Sequence, residues 1–168
     1  NCSIRNCLLF NPYKAVDFGT YPCGRHSIDG LYGRPLHTGL FIDKCYDVGR
    51  VSNVHFWPFW ESESTVLRQF QEKNATAFII GRTDWQYMLN CFCLWYATGY
   101  RFIRSSEKGT GNGNTVLTNC GSDLGPVALK IEEVQNHAGI SFVNCQIMGA
   151  VILDNTNHGP VKFTGCGF

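Results

Sequence analysis

The segment Gly81-Arg82-Thr83-Asp84-Trp85 brings a guanidinium, a carboxylate and an indole close together in sequence. An Arg can hold a substrate carboxylate through two parallel hydrogen bonds. An Asp or Glu can serve as acid or base in glycosidic chemistry, and an indole offers a flat face to a sugar ring. A second concentration lies upstream, in His55-Phe56-Trp57-Pro58-Phe59-Trp60-Glu61, the densest aromatic run of the chain. Taken together, these residues suggest a glycan site. Asp84 or Glu61 would be acid or base, Arg82 the carboxylate clamp, Trp57, Trp60 and Trp85 the sugar platforms, with His55 beside them. Each has a plainer alternative. Arg82 and Asp84 can be a solvated pair with Trp85 packed beneath. Trp57, Phe59 and Trp60 can equally be the apolar seat of a neighbouring helix.

Other chemistries find less support. Ser105 to Asn114 is rich in Gly but lacks the Gly-Lys-Ser/Thr order of a phosphate loop. Asp17, Asp43 and Asp47 are scattered, without the dense acidic motif of a calcium loop. Cys23 and Cys45 stand apart from the other thiols and are the candidates for reactive or paired cysteines. No CxxC or His-rich pair accompanies them, so neither zinc nor any other cofactor is expected. The formal charge of +1 carries no nucleic-acid footprint. No run of 18 apolar residues marks a membrane span. Asn74-Ala75-Thr76 and Asn1-Cys2-Ser3 match the glycosylation triplet, which alone says nothing of secretion.

What must position these residues is a repeat. Seven times the chain shows an apolar residue, any residue, Asn or Gly, then a small apolar residue or Cys, centred on Asn6, Gly30, Asn53, Asn90, Asn119, Asn144 and Gly165. Successive centres are 24, 23, 37, 29, 25 and 21 residues apart. A period in the twenties is the mark of a solenoid. Two positions before each centre stand Ile4, Ile28, Val51, Met88, Leu117, Phe142 and Phe163; one after stand Cys7, Leu31, Val54, Cys91, Cys120, Cys145 and Cys166. Inward positions on a straight strand are two apart, and these are three apart. The residue between must turn the chain, and Asn and Gly enter the left-handed region at least cost. The cysteines of this row, and Cys93 in a second row, then read as unbridged packing residues, small hydrophobes in effect.

A second set of strands follows the centres: Ala15–Phe18, Gly39–Ile42, Ala77–Ile80, Gly99–Phe102, Pro126–Leu129 and Gly149–Ile152. Their outward residues would be Asp17, Phe41, Ile79, Arg101, Ala128 and Val151, a largely apolar row suited to being covered. The longest interval holds an insertion at 57–76, whose part from Ser62 to Asn74 reads as a short helix with a Ser cap. Val66, Leu67 and Phe70 would pack that helix on the repeat. The expected fold is all-β: a right-handed parallel β-helix of about seven coils, roughly 34 Å long at about 4.8 Å per coil. The 168 residues, 44% hydrophobic, suffice for one such domain. The pattern is under way at Asn6 and unfinished at Phe168, so the sequence is expected to be part of a longer array.

The centres Ile4-Arg5-Asn6-Cys7, Met88-Leu89-Asn90-Cys91 and Phe142-Val143-Asn144-Cys145 resemble those of the pectate-lyase-like superfamily. That group includes polygalacturonase-type hydrolases, rhamnogalacturonase and epimerase-like domains, and phage tailspikes. The resemblance implies an extracellular or cell-surface protein that binds or cleaves acidic polysaccharide. The hydrolase signatures Asn-Thr-Asp, Asp-Asp, Gly-His-Gly and Arg-Ile-Lys are missing from this sequence, so no catalytic residue is carried over. Two functions are therefore expected as rivals. One is a glycan-binding or polysaccharide-degrading module whose partner is a polysaccharide. The other is a structural assembly module of a fibre, sheath or tailspike, packed against copies of itself.

Overall fold

A computed structural model describes residues 2–60, 63–107 and 112–168. The chain runs in successive passes. The first holds β1 (Ser3–Leu9) and β2 (Lys14–Phe18), the next β3 (Ser27–Gly33) and β4 (Thr38–Ile42). Then come β5 (Gly49–Phe56), the helix α1 (Thr65–Asn74) and β6 (Thr76–Ile80). Two passes follow, β7 (Thr83–Leu89), β8 (Phe92–Leu94) and β9 (Thr98–Phe102), then β10 (Gly113–Thr118), β11 (Gly121–Asp123) and β12 (Val127–Ile131). The last strands are β13 (Ile140–Val143), β14 (Gln146–Ile147), β15 (Ala150–Leu153) and β16 (Val161–Thr164).

Every strand pairing is parallel, because each pass returns to lie beside the one before. One sheet stacks β2, β4, β6, β9, β12 and β15 in that order; the other carries the remaining strands. Register follows the repeat. Ile4 pairs with Ile28, Ile28 with Val51, Val51 with Met88, Met88 with Leu117, Leu117 with Phe142, and Phe142 with Phe163. The core lies between the sheets, with Leu31, Val54, Phe56, Phe78, Cys91, Cys93 and Phe102 fully buried. Each large apolar side chain so buried contributes about 1.5–3 kcal/mol. Across the interior Phe56 stacks on Phe78 and Phe78 on Tyr100, with centroids 5.2 and 4.6 Å apart. The Tyr100 hydroxyl donates to the Cys91 carbonyl at 2.7 Å, so its one polar atom is satisfied.

All the repeat centres are left-handed corners. Asn6, Asn53, Asn90, Asn119 and Asn144 have φ between 49° and 54°, Gly30 has 75° and Gly165 has 62°. At these angles the backbone changes direction while still pairing. The Asn90 N–H donates to the Thr118 carbonyl, Asn119 to Val143 and Asn144 to Thr164, at 2.9–3.0 Å. The side chains add a ladder: Asn119 donates to Asn90 at 3.5 Å, Asn90 to Asn53 at 3.2 Å, and Asn53 to the Asp29 carboxylate at 2.8 Å. A Cβ on Gly30 would lie 2.8 Å from Asn6 Oδ1, so here Gly also makes room for the amide below.

In the middle of the repeat row the thiols face inward. Cys91, Cys120 and Cys145 are buried, and each donates to the carbonyl two residues earlier, at 3.5 Å. All nine cysteines are free thiols. Burial pushes the Cys93 thiol up to about 12, which keeps it protonated and inert.

Two expectations need correction. The second-sheet row was placed one or two residues early near its end. Lys130 pairs with Arg101 and Ile152 with Lys130, so the outward row is Asp17, Phe41, Ile79, Arg101, Lys130, Ile152, and Ala128 is buried. Leu129 pairs with Tyr100 in an unbroken β9–β12 register, so the row slips by two residues there; the register break between β12 and β15 reduces the slip to one at Val151. The helix is capped by Ser64 but does not sit on Val66 and Phe70, both of which are exposed. It turns Gln71 inward. Arg34, fully buried, donates to Gln71 Oε1 at 3.1 Å, and Gln71 Nε2 donates to the Leu94 carbonyl at 3.0 Å. A polar latch seats this helix where an apolar stripe was expected.

Two outcomes test the corner ladder. Asn90→Val should lower unfolding free energy by about 2–3 kcal/mol, combining left-handed strain with a lost side-chain hydrogen bond, whereas Asn90→Gly should cost less; urea denaturation reads both. Asn53 and Ser52 hold the Asp29 carboxyl below its ordinary 3.8. Because the folded value is depressed, this contribution is complete above the unfolded value and fades as pH falls through the folded one. The Asp29 carboxyl resonance should therefore titrate below 3.8 and move back toward it in Asn53→Ala.

Candidate functional site

On the outer face of the β2–β4–β6–β9–β12 sheet lies a groove of about 390 Å³. It runs across the strands, along the stacking direction. Phe41 and Ile79, adjacent in the outward row, form an apolar floor. Lys14, Asp17, Arg101, Arg104 and Glu132 supply charge around it. Arg101 pairs with Glu132 at 2.7 Å, Lys130 reaches the same carboxylate at 3.3 Å, and Arg104 pairs with Glu133. Burial raises the Asp17 carboxyl, but hydrogen bonds from Thr20 and Gly19 outweigh it and leave the group below its ordinary value. Asp17 accepts at 2.6–2.8 Å from the Thr20 hydroxyl and the backbone of Gly19 and Thr20. It is an ionised turn cap, and Glu132 is an ion-pair partner. An apolar floor ringed by donors and fixed charges is suited to a ligand with one apolar face and polar edges.

The residues singled out from sequence fall into separate groups. Arg82 and Asp84 do meet, at 3.2 Å. The same guanidinium donates to the Cys45 carbonyl at 2.9 Å and lies 4.4 Å over the Tyr46 ring. Trp85 is exposed rather than packed, at a left-handed φ of 57°. His55 belongs to another neighbourhood. It pairs with Phe92, across the Asn90 corner from Asp84, and its ring stacks on Trp57 at 5.7 Å. From Trp57 the aromatic contacts continue through Phe59 to Trp60 and Phe10. With Tyr32 this makes an aromatic strip beside the Asn ladder, over a shallow pocket of about 190 Å³. Burial holds the His55 imidazole below its ordinary value, so it is neutral at pH 7. Glu61 lies outside the described residues.

Sequence reasoning missed a polar knot at the opposite corner. Asp43 is fully buried and accepts from the backbone of Lys44 (2.9 Å), Arg82 (2.8 Å) and Ser106 (3.0 Å) and from the Ser106 hydroxyl (2.8 Å). Burial opposes its ionisation, and the hydrogen bonds from Ser106 and Arg82 overcome this. Next to it, Cys23, His26 and Cys45 bring two thiols and an imidazole within 4.8 Å of one another. His26 Nδ1 is 3.8 Å from Cys23 Sγ and 3.7 Å from Cys45 Sγ. Such a donor set can hold a metal ion. One signal was available in the sequence: Cys23 and Cys45 are nearly one repeat apart, and stacking passes set residues one repeat apart above each other.

The chain matches no family model, no curated protein and no solved structure.

Replacing Asp43 by Ala would leave several buried donors without an acceptor and should lower unfolding free energy by about 3 kcal/mol. Because Asp43 ties Ser106 to the corner, limited proteolysis near residues 104–107 should speed up in the same variant while the groove strands stay resistant.

Proposed function

We propose that this chain is a glycan-binding module built as a right-handed parallel β-helix of about seven coils, of the pectate-lyase-like type. Wholly parallel pairing, two sheets joined at short corners and an Asn ladder support the fold. The right hand is the one that nearly all parallel crossovers take. The observation that carries the function is the groove over Phe41 and Ile79 with its rim of Lys14, Asp17, Arg101, Arg104 and Glu132, three cations to two carboxylates. An oligosaccharide bearing carboxylates would lay its ring faces on the floor and its charges toward the guanidinium groups. Binding is favoured over cleavage. Asp17 is consumed by its turn, Glu132 by Arg101 and Lys130, and Asp84 by Arg82. His55, Trp57 and Trp60 form a second surface on which sugar faces can stack.

An assembly role is the second reading. Val151, Ile152 and Leu153 on β15 and Phe168 after β16 are exposed at 40–70%, and another chain would find apolar area there.

Calorimetric titration with a uronic-acid oligosaccharide and its neutral counterpart tests the first reading. Saturable binding to the acidic chain is expected, weakened about tenfold in Arg101→Ala, as loss of a charged hydrogen bond implies. Loss in Trp57→Ala instead, with Arg101→Ala unaffected, would move the site to the aromatic strip. Binding to neither chain, with an obligate oligomer by light scattering, would hand the case to assembly.

A further inference from the structure

The groove leaves unused the most chemically distinctive cluster of the molecule, at the corner that leads into β3 and β5. Its geometry starts from the backbone. The Cys23 N–H donates to the Lys44 carbonyl, and the Tyr46 N–H to the Cys23 carbonyl, at 3.1 and 3.0 Å. This bridge sets Cys45 directly against Cys23, and the next bridge sets Thr83 against Cys45. Arg25 and Lys44 are left-handed, with φ of 55°, so both loops fold tightly here. His26 follows Cys23 by one short turn and is buried, its ring stacked on Phe18 at 5.0 Å.

The two faces of that imidazole meet different surroundings. Nδ1 faces both sulfurs. Nε2 is buried without a hydrogen-bond partner, and so is Gln86 Oε1. Both atoms crowd Gly49: a Cβ there would lie 2.5 Å from Nε2 and 2.3 Å from Oε1. A proton on Nε2 leaves the Nδ1 lone pair aimed at the thiols, which is the tautomer a metal ligand needs.

The spacing also fits an ion. Bonds of about 2.3 Å to sulfur and 2.0–2.1 Å to nitrogen, in a tetrahedron, put S and N about 3.6 Å apart. The observed separations are 3.8 and 3.7 Å. Beside Cys23 a pocket of about 390 Å³, lined by Pro22, Gly24, Arg25, Tyr46 and Asp47, opens to solvent. Arg25 and Asp47 are paired with each other at 3.3 Å on its rim.

We propose that Cys23, His26 and Cys45 bind a thiophilic divalent cation of the zinc class, with the fourth coordination position open to the pocket beside Cys23. Two thiolates and one imidazole select such ions over calcium or magnesium. The proton balance is simple. Binding releases the thiol protons to solvent, and the charges of the ion and the two thiolates cancel. The bound ion would pin two successive passes at the corner, while its open position takes water or a small donor from the pocket. The proposal is independent of glycan binding.

The full chain, reduced and stripped with chelator, would be titrated with Co2+ alone and then with Zn2+. One equivalent of Co2+ should give thiolate charge-transfer absorption and the visible bands of a tetrahedral ion, both erased by Zn2+. Cys23→Ala, at the half-buried edge of the pocket, and His26→Gln should weaken Co2+ binding by roughly a hundredfold or more. Cys2→Ser, on the surface, should bind as the parent does. Zn2+ should raise the unfolding midpoint of the parent and of Cys2→Ser only. Should His26→Gln fail to fold, Cys23→Ala decides. Absence of the charge-transfer band overturns the proposal, as does its persistence in Cys23→Ala. So does a reduced chain that ignores Co2+ while the air-exposed protein carries a Cys23–Cys45 disulfide by peptide mapping.

Discussion

A strand that turns a corner usually gives up its backbone partners there, which interrupts the ladder of the sheet. In this chain the left-handed Asn resolves the conflict. At φ near 50° the chain changes direction while its N–H still reaches the carbonyl of the neighbouring pass. The amide side chain then bonds to the amide on the adjacent corner. Because every corner uses the same conformation, the passes superimpose, and inward residues stack in columns. The register, the aromatic stack of Phe56, Phe78 and Tyr100, and the column of thiols all follow from that superposition.

The same stacking explains where polar chemistry accumulates. A column is apolar only while each pass contributes an apolar residue. Where successive passes contribute Cys23, Cys45 and Thr83, a polar vein enters the core. Asp43 lies alongside it, with donors from Lys44, Arg82 and Ser106 turned toward its carboxylate. The outer faces diverge for a related reason. Outward rows need no uniformity, so one sheet carries Phe41 and Ile79 between charges, and the other carries Tyr32, His55 and Phe92 in line.

Much of this was legible from spacing alone. Asn or Gly at a fixed place between apolar residues predicted both the corners and the buried thiols, because left-handed conformers and inward parity are local properties. The helix was legible in existence but not in orientation. Its apolar residues Val66 and Phe70 suggested a hydrophobic seat, and a buried Arg34 from the preceding pass claimed Gln71 instead. The second-sheet row slipped at Ala128 because Val127-Ala128-Leu129 fits the apolar–any–apolar triplet as well as Leu129-Lys130-Ile131 does, and a two-residue offset leaves parity unchanged. The candidate site was the least legible part. Arg82 and Asp84 do touch, but what they serve was invisible in a linear reading: Arg82 holds the Cys45 carbonyl, and His55 lies beyond another corner. His26 escaped notice because a single histidine near one cysteine acquires meaning only when the next pass brings a second sulfur.

The cysteines also divide by reactivity. Those deep in the column, such as Cys93 with its thiol pushed up to about 12 by burial, exist as the poor nucleophile and are shut off from solvent, whereas Cys2 is exposed and Cys23 is half-buried beside an open pocket. One polypeptide thus carries an inert inner set of sulfurs and a few that solvent reaches. An electrophile or a stray heavy-metal ion arriving from outside would be sorted kinetically toward those, leaving the axis of the molecule chemically silent.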